Sequence, residues 1–409
     1  MPELFNSIII GGGLAGLSAA YWAKKQNPDA AVAIVEKEAQ VLSWIAQRAG
    51  KPVVLGSTSN STLADESLYP RGSPEVLRLL QKWSGSSTRD WLVSLGLDIQ
   101  ETADGTIFLK RAADVREVLI RTMESLAVNL VTGISVESIS RQPDGTYRIW
   151  SREGEAMACR KLLLATGGER NHGLKLATEL GAEVSPPLPG FLRLRLASPK
   201  LGERLGPMRR EVKLRCLKSG EAVKGELEIS PRGIEGPALS ALSCRHCELW
   251  KQLGYRLRLE IDWLADMSGA SVRNQLLSRC ERGGRRLVGS DPLFGFTEKQ
   301  WNTFLKLVRI EPELPWARFK AKKVQALSQR LKADVVNIAG MGLPADERAW
   351  AGGVQCGSID SSTCESISSS NLYYCGEMID ALGMPGGLHS NLTWATAYQA
   401  GSSMGLESR

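Results

Sequence analysis

Residues 8–16 read IIIGGGLAG, and within them Gly11, Gly13 and Gly16 satisfy the spacing G-x-G-x-x-G. The first glycine permits a tight turn, the second lets backbone approach a diphosphate, and the third lets a helix pack close to a strand. A diphosphate in that cradle meets unpaired backbone N–H groups and the positive end of a helix dipole. Leu14 and Ala15 lie inside the motif, where the helix begins. Twenty residues after Gly16 comes Glu36, followed by Lys37. A carboxylate at the end of a second strand can accept hydrogen bonds from both hydroxyls of a ribose. The chemistry these residues suggest is the binding of a dinucleotide.

Two later stretches end in similar turns. The run KLLL leads into Ala165-Thr166-Gly167-Gly168, and LYYC leads into Gly376-Glu377 and Asp380. The second is followed by ALGMPGGLHSNLTWATAYQAG, a glycine-rich loop feeding a helix. A dinucleotide motif near the start with a second glycine turn far along the chain is the layout of FAD enzymes with a glutathione-reductase-like fold. His389, inside the closing loop, has two readings: a proton donor during substrate reduction, or a histidine facing solvent or bonded to backbone. Cys244-Arg-His-Cys247 is a lone CxxC with no second pair to complete a zinc site, and reads as two buried thiols. No metal is expected. VVNIAGMGLPA at 335–345 offers Gly340 and Gly342, but Pro344 falls where a helix should begin, so any nicotinamide donor must bind without a Rossmann domain of its own.

The elements that must position these groups follow from hydrophobic pattern. Phe5–Ile10 and 31–35 are apolar runs suited to strands buried on both faces, and 14–26 is an Ala-rich helix stopped by Asn27-Pro28. Helices are expected at 74–83, 88–95 and 111–126, a hairpin over 98–110, and strands at 128–131, 134–140, 146–151 and 160–165. ELGAEVSPPLPG breaks the pattern with three prolines and marks a boundary. From 190 to 262 short strands with Gly/Pro turns read as a small barrel or sandwich, and 263–335 as mainly helical. Residues 1–189 and 336–409 would then fold together as the cofactor domain. The last helix is expected from about Asn391 to Ala400.

The chain has 409 residues, 43% of them hydrophobic, and no run near the roughly 20 apolar residues of a membrane span. Its eight cysteines form no disulfide framework, which suits a reducing, cytoplasmic setting. Residues 190–335 hold 29 Lys and Arg against 16 Asp and Glu, while the rest of the chain is acidic. That balance reads as a solvated arginine-rich face or as a docking surface for nucleic acid. Trp250, Trp263, Trp301 and Trp316 do not interleave with the basic clusters, which argues against nucleic acid as a partner.

With these motifs in order, the sequence resembles the BaiN-like, aminoacetone-oxidase-like bacterial NAD(P)/FAD-dependent flavoproteins. The resemblance spans nearly the whole chain and rests on GGGLAGLSAA, LLATGG, GELEISPRGIEGPALSALS at 225–243, AGGVQCGSID at 351–360 and GEMIDALGMPGG…NLTWA. It implies an α/β fold, with a Rossmann-like FAD domain interrupted by an inserted β-barrel and a helical subdomain. It further implies FAD as cofactor, Val136 and Thr166 near the adenine half, and Asp380 near the ribityl and phosphate region. The turns at Gly376-Glu377 and Gly386-Gly387, with Asn391 and Leu392, would meet the flavin, where free N–H groups stabilise charge on the reduced ring. The activity implied is oxidoreduction of a small organic substrate, either NAD(P)H-driven reduction of C=C or C=O or oxidation of an amine; a nucleic-acid substrate is the alternative. Two departures lie near the flavin ring. The family's Arg-Cys-Asn loop is replaced by PVVLGSTSNST, where Asn60 keeps step, and GGLHSNL inserts residues before Asn391.

Overall fold

The uniformly apolar runs become neighbouring strands of one sheet. In the computed structural model, which describes residues 4–47, 49–59, 66–152, 154–168, 171–342 and 349–406, the strands Leu4–Ile10, Val32–Glu36, Asn129–Thr132 and Leu372–Tyr374 all run parallel within it. Ile8 lies opposite Ala33 on one side and Leu162 on the other, and Ile8, Ala33 and Leu162 are wholly buried. The strand Gly154–Leu164 uses its second edge twice. Its first half pairs antiparallel with Tyr147–Ser151, and its last residues pair parallel with Leu372–Tyr374. Strands with both faces covered need no polar alternation, which is why these segments read as unbroken hydrophobic stretches.

The chain divides into two units, Met1–Pro189 with Ala349–Arg409, and Gly190–Arg348. In the first, the helices Leu14–Gln26 and Leu388–Gly405 pack against each other. Aromatic side chains lock them to the helices Ser73–Lys82 and Gly85–Ser94 and to the residue that follows the former: Trp83 stacks on Tyr398 at 4.4 Å between ring centroids, and Trp91 meets Trp394 edge-on at 5.5 Å. Such pairs add about 1 kcal/mol each beyond the area they bury.

The second unit is a closed barrel of six strands, from Leu194–Leu196 to Asp334–Met341, together with the helices Gly269–Gly283, Glu298–Leu307 and Ala321–Lys332. Trp250, Trp263, Trp301 and Trp316 are all fully buried in its core. Three expectations need correction. Residues 334–341 close the barrel rather than returning to the cofactor domain at 336, because Val336 and Ile338 alternate inward beside Arg258–Asp262. The barrel and the helical stretch form one unit, sharing one hydrophobic core. And GPALSALSCRHCELW is not strand and turn but the helix Pro237–Gln252, started by proline at its first position, where the missing N–H costs nothing. Cys244 and Cys247 lie on that helix, both buried, and burial pushes the Cys244 thiol well above its ordinary value. Pro344 lies outside the described residues.

Candidate cofactor site

The first glycine motif forms a cradle at the end of the strand Leu4–Ile10. The Gly11 N–H donates to the Val35 carbonyl at 2.8 Å, drawing the turn back over the second strand. A Cβ on Gly16 would stand 2.0 Å from the Gly11 carbonyl oxygen, so the helix starts closer to the turn than any other residue allows. Gly13 is different: a Cβ there would meet nothing within 4 Å. It caps the helix Leu14–Gln26 with no side-chain cap and no acidic residue in the first turn. The first N–H groups of the helix therefore face open space at the positive end of its dipole, a setting for an anion. Glu36 completes the cradle. Its Oε2 accepts from the Gly12 N–H at 2.8 Å and its Oε1 from the Glu38 N–H at 2.9 Å. Each oxygen keeps a lone pair for a ribose hydroxyl. Lys37, beside it, is exposed.

The later turns come to the same place. The Gly376 N–H donates to Thr396 Oγ1 at 2.8 Å, and a Cβ on Gly376 would lie 2.9 Å from that of Ala15. A Cβ on Gly11 would meet the Ala165 carbonyl oxygen at 2.4 Å. Thr166 Oγ1 donates to Met378 Sδ at 3.0 Å, and Gly167 turns with φ of 78°. Glu377 gathers three segments: its carboxylate accepts from the Gly168 N–H at 3.3 Å, the Trp350 N–H at 3.2 Å and His389 Nε2 at 2.9 Å. His389 Nδ1 accepts from the Gly383 N–H at 3.5 Å. Both ring nitrogens of His389 are thus engaged.

Asp380 is held by a residue that the sequence did not point to. Arg71 grips it with two parallel bonds, Nε to Oδ1 and Nη2 to Oδ2, each 2.7 Å, and the Gly352 N–H donates to Oδ1 at 2.9 Å. Burial pushes the Asp380 carboxyl up, but the Arg71 guanidinium outweighs it, and the net shift is below the ordinary value. Arg71 and Asp380 are 309 residues apart, and no local pattern announces the pair.

Asn391 and Val136 both have partners within the chain. The Asn391 amide is committed to backbone: Oδ1 accepts from the Ser57 N–H at 3.0 Å, and Nδ2 donates to the Ser57 carbonyl at 2.9 Å. Trp394 Nε1 donates to the Leu55 carbonyl at 2.5 Å. Together they sew the strand Val53–Ser57, part of the departing PVVLGSTSNST stretch, onto the start of the terminal helix. Asn60 lies outside the described residues. That helix begins at Leu388, three residues before the expected start, capped by Gly387 with φ of 93° after Gly386 at 92°. A Cβ on Gly387 would lie 1.9 Å from the Gly56 carbonyl oxygen, so a side chain there breaks the fold. Leu392 is buried in the helix. Val136 is buried on the strand Val136–Arg141, and its carbonyl already accepts from His172 Nε2. Asn391→Ala is expected to lower the stability of the cofactor-free protein by about 3 kcal/mol, since two buried backbone groups lose their partners. Thermal unfolding without FAD is the measurement; an unchanged midpoint would mean the amide serves only the cofactor.

A diphosphate cradle, a ribose-ready carboxylate and a helix N-terminus after a second glycine turn fit a dinucleotide. The family model for the HI0933-like protein Rossmann domain matches residues 5–403. The chain belongs to this family. Its cofactor is FAD and its chemistry is oxidoreduction, within an α/β fold carrying an inserted barrel. Among curated relatives, the family member is similar to the 3-dehydro-bile acid delta(4,6)-reductase of Clostridium scindens, at 27% identity over 96% of this chain and 97% of that one. It is also similar to the ribosomal RNA dihydrouridine synthase of Escherichia coli, at 23% identity over 97% of each. In fold it resembles the 3-ketosteroid-delta4-(5alpha)-dehydrogenase of Rhodococcus jostii RHA1, with a TM-score of 0.53 and 14% identity over 99% of this chain and 97% of that one. Among the described residues, no helix is long and apolar enough to cross a membrane.

Proposed function

We propose that the protein reduces a carbon–carbon double bond conjugated to a carbonyl group in a small organic substrate, with NAD(P)H as electron donor. The observation that carries this reading is the Glu377–His389 pair, a partly buried carboxylate and imidazole sharing a proton among the glycine turns of the cofactor site. Saturating such a bond adds a hydride to the carbon far from the carbonyl and a proton to its neighbour. Bound FAD supplies the hydride chemistry. The chain's part is to hold the cofactor through Gly11–Gly16 and Glu36, and to keep a proton in place at His389 Nε2 and Glu377 Oε1. The names of the two curated relatives, a delta(4,6)-reductase and a dihydrouridine synthase, both describe saturation of a double bond, and this supports the same class.

The test is anaerobic. NADH and NADPH are mixed in turn with the FAD-loaded protein while flavin bleaching is followed, and a cyclic enone is then added. Bleaching by a nicotinamide and recovery on the enone are the expected results. Bleaching by amines alone, with oxygen restoring the colour, would replace this reading with amine oxidation. His389→Gln is expected to keep FAD content while kcat falls about a hundredfold and the pH profile of kcat/KM loses one limb. An unchanged pH profile would remove the pair from the proton's route.

A second reading places the double bond on a nucleobase. The excess of 29 basic over 16 acidic residues in 190–335 favours it.

A further inference from the structure

Six aromatic side chains of the first unit touch one another in series. Trp394, 1% exposed, is the inner end, and its one ring contact among the described residues is with Trp91, at 5.5 Å between centroids. Trp91 meets Trp22 at 5.8 Å and Trp83 at 6.3 Å. Both of those meet Tyr398, Trp22 at 5.0 Å and Trp83 at 4.4 Å. Tyr21 lies to one side, 5.3 Å from Trp91 and 4.8 Å from Trp22. Burial falls along the series: Trp394, Trp91 and Trp83 are buried, whereas Trp22 and Tyr398 are half-buried at the solvent boundary. The inner end adjoins the glycine turns of the cofactor site. Trp394 Nε1 bonds to the Leu55 carbonyl, next to Gly56, the residue against which Gly387 rests.

Packing accounts for rings in contact but not for their polar atoms. The buried Nε1 atoms of Trp22 and Trp91 have no hydrogen-bond partner among the described residues, although leaving such a donor unpaired costs about 1–3 kcal/mol. Trp83 Nε1 donates to Thr88 Oγ1 at 2.8 Å, so it and Trp394 both face neutral acceptors. A tryptophan that has lost one electron is a radical cation, and it stays mobile unless its N–H hands a proton to a base. No base faces these four N–H groups, so a positive hole formed on one indole passes to the next ring. Lys25 Nζ stands 5.3 Å from the centre of the Tyr21 ring, and a cation there disfavours a second positive charge. Tyr398, at the solvent boundary, is the ring left to hold the oxidation. We infer that this series conducts one-electron oxidation from Trp394, beside the cofactor site, to Tyr398 at the surface. The oxidant is a radical that accepts one electron, of the class of the carbonate radical anion, which becomes carbonate as Trp394 gives up its electron. Trp91, then Trp22 or Trp83, and last Tyr398 each pass one electron inward. Tyr398 also loses its phenolic proton to water. A solvent thiol then returns a hydrogen atom to it, and two thiyl radicals from two such events couple to a disulfide. The inference is independent of which substrate the protein reduces.

The experiment generates carbonate radical anions by pulse radiolysis of bicarbonate around the full FAD-loaded chain, without thiol. Trp44→Phe is the background, since Trp44 is 44% exposed and is otherwise a competing target. Tryptophanyl absorption is expected to decay into tyrosyl absorption at a rate independent of protein concentration. Peptide mass spectrometry should place the lasting oxidation at Tyr398 and leave Trp394 intact. Tyr398→Phe keeps the shape of the ring and should lose the tyrosyl signal, with lasting oxidation moving back to Trp22 and Trp83. Trp91→Phe removes no hydrogen bond and cuts Trp394 off from the series, so oxidation should rise at Trp394 while Tyr398 still collects from Trp22 and Trp83. FAD content shows whether each variant is folded, and Tyr398→Phe decides alone if Trp91→Phe is not. A tyrosyl signal that survives Tyr398→Phe would overturn the inference. So would a Trp394 oxidised to the same extent with and without Trp91, or damage that follows exposure alone and is unchanged in both variants.

Discussion

Gly13→Val is expected to give a folded protein that purifies without FAD. The backbone at Gly13 is extended, with φ of −84° and ψ of −175°, a conformation a β-branched residue adopts freely. No atom lies within 4 Å of where its Cβ would be, so the chain itself does not resist the substitution. The space that valine would fill is the approach to the N–H groups of the helix Leu14–Gln26, where the diphosphate belongs. Displacing the diphosphate should raise the dissociation constant for FAD about a hundredfold, the loss of about 3 kcal/mol. Gly16→Val is the contrasting case: its Cβ collides with backbone at 2.0 Å, and the protein should fail to fold. Heat-released flavin, a reconstitution titration and the unfolding midpoint of the cofactor-free protein decide the matter. A yellow Gly13→Val protein with unchanged affinity would show that the cofactor's phosphates lie elsewhere.

Arg71→Ala should cost about 3–5 kcal/mol, since it leaves the buried Asp380 carboxylate without its cation, facing only neutral donors such as the Ser185 side chain and the Gly352 N–H. Asp380→Asn, which removes the charge with its partner still able to reach solvent, should cost less. The pair also sets an acid limit. The Asp380 carboxyl titrates below its ordinary value in the folded state, so its contribution is present above the unfolded-chain value near 4 and is lost as pH falls through the lower folded value. Urea unfolding from neutral pH down to about 3 should therefore show a shallower decline in Arg71→Ala than in the parent. Parallel declines would mean that another carboxylate governs acid stability.

What the sequence disclosed was whatever is local. The turn from Ile10 to Leu14, the helix that follows and the strand ending at Glu36 all lie within one short stretch, where glycine spacing and apolar runs speak directly. The helix Pro237–Gln252 was hidden because its opening glycine and proline read as a turn, although proline also begins helices. The strand Val53–Ser57 was hidden because its fixings are remote: Asn391 and Trp394 hold it from more than 330 residues away. The same distance hides the partners of Asn391. An amide next to a glycine loop suggests a ligand, and nothing nearby in sequence shows that Ser57 satisfies both of its ends.

The strand Leu372–Tyr374 completes an edge of Gly154–Leu164 that is made far earlier. A ribosome adding about 5–20 residues per second leaves that edge open for about 10–40 s, with Leu162 to Leu164 lacking their neighbour. Every strand of the barrel, by contrast, falls within 194–341 and is available before Leu372 is translated. The inserted unit can thus close on the ribosome, whereas the first unit gains its last strand and its terminal helix only near the end of translation. In that interval the nascent chain carries an unpaired edge at Leu162 to Leu164, an apolar seam open to whatever meets it first.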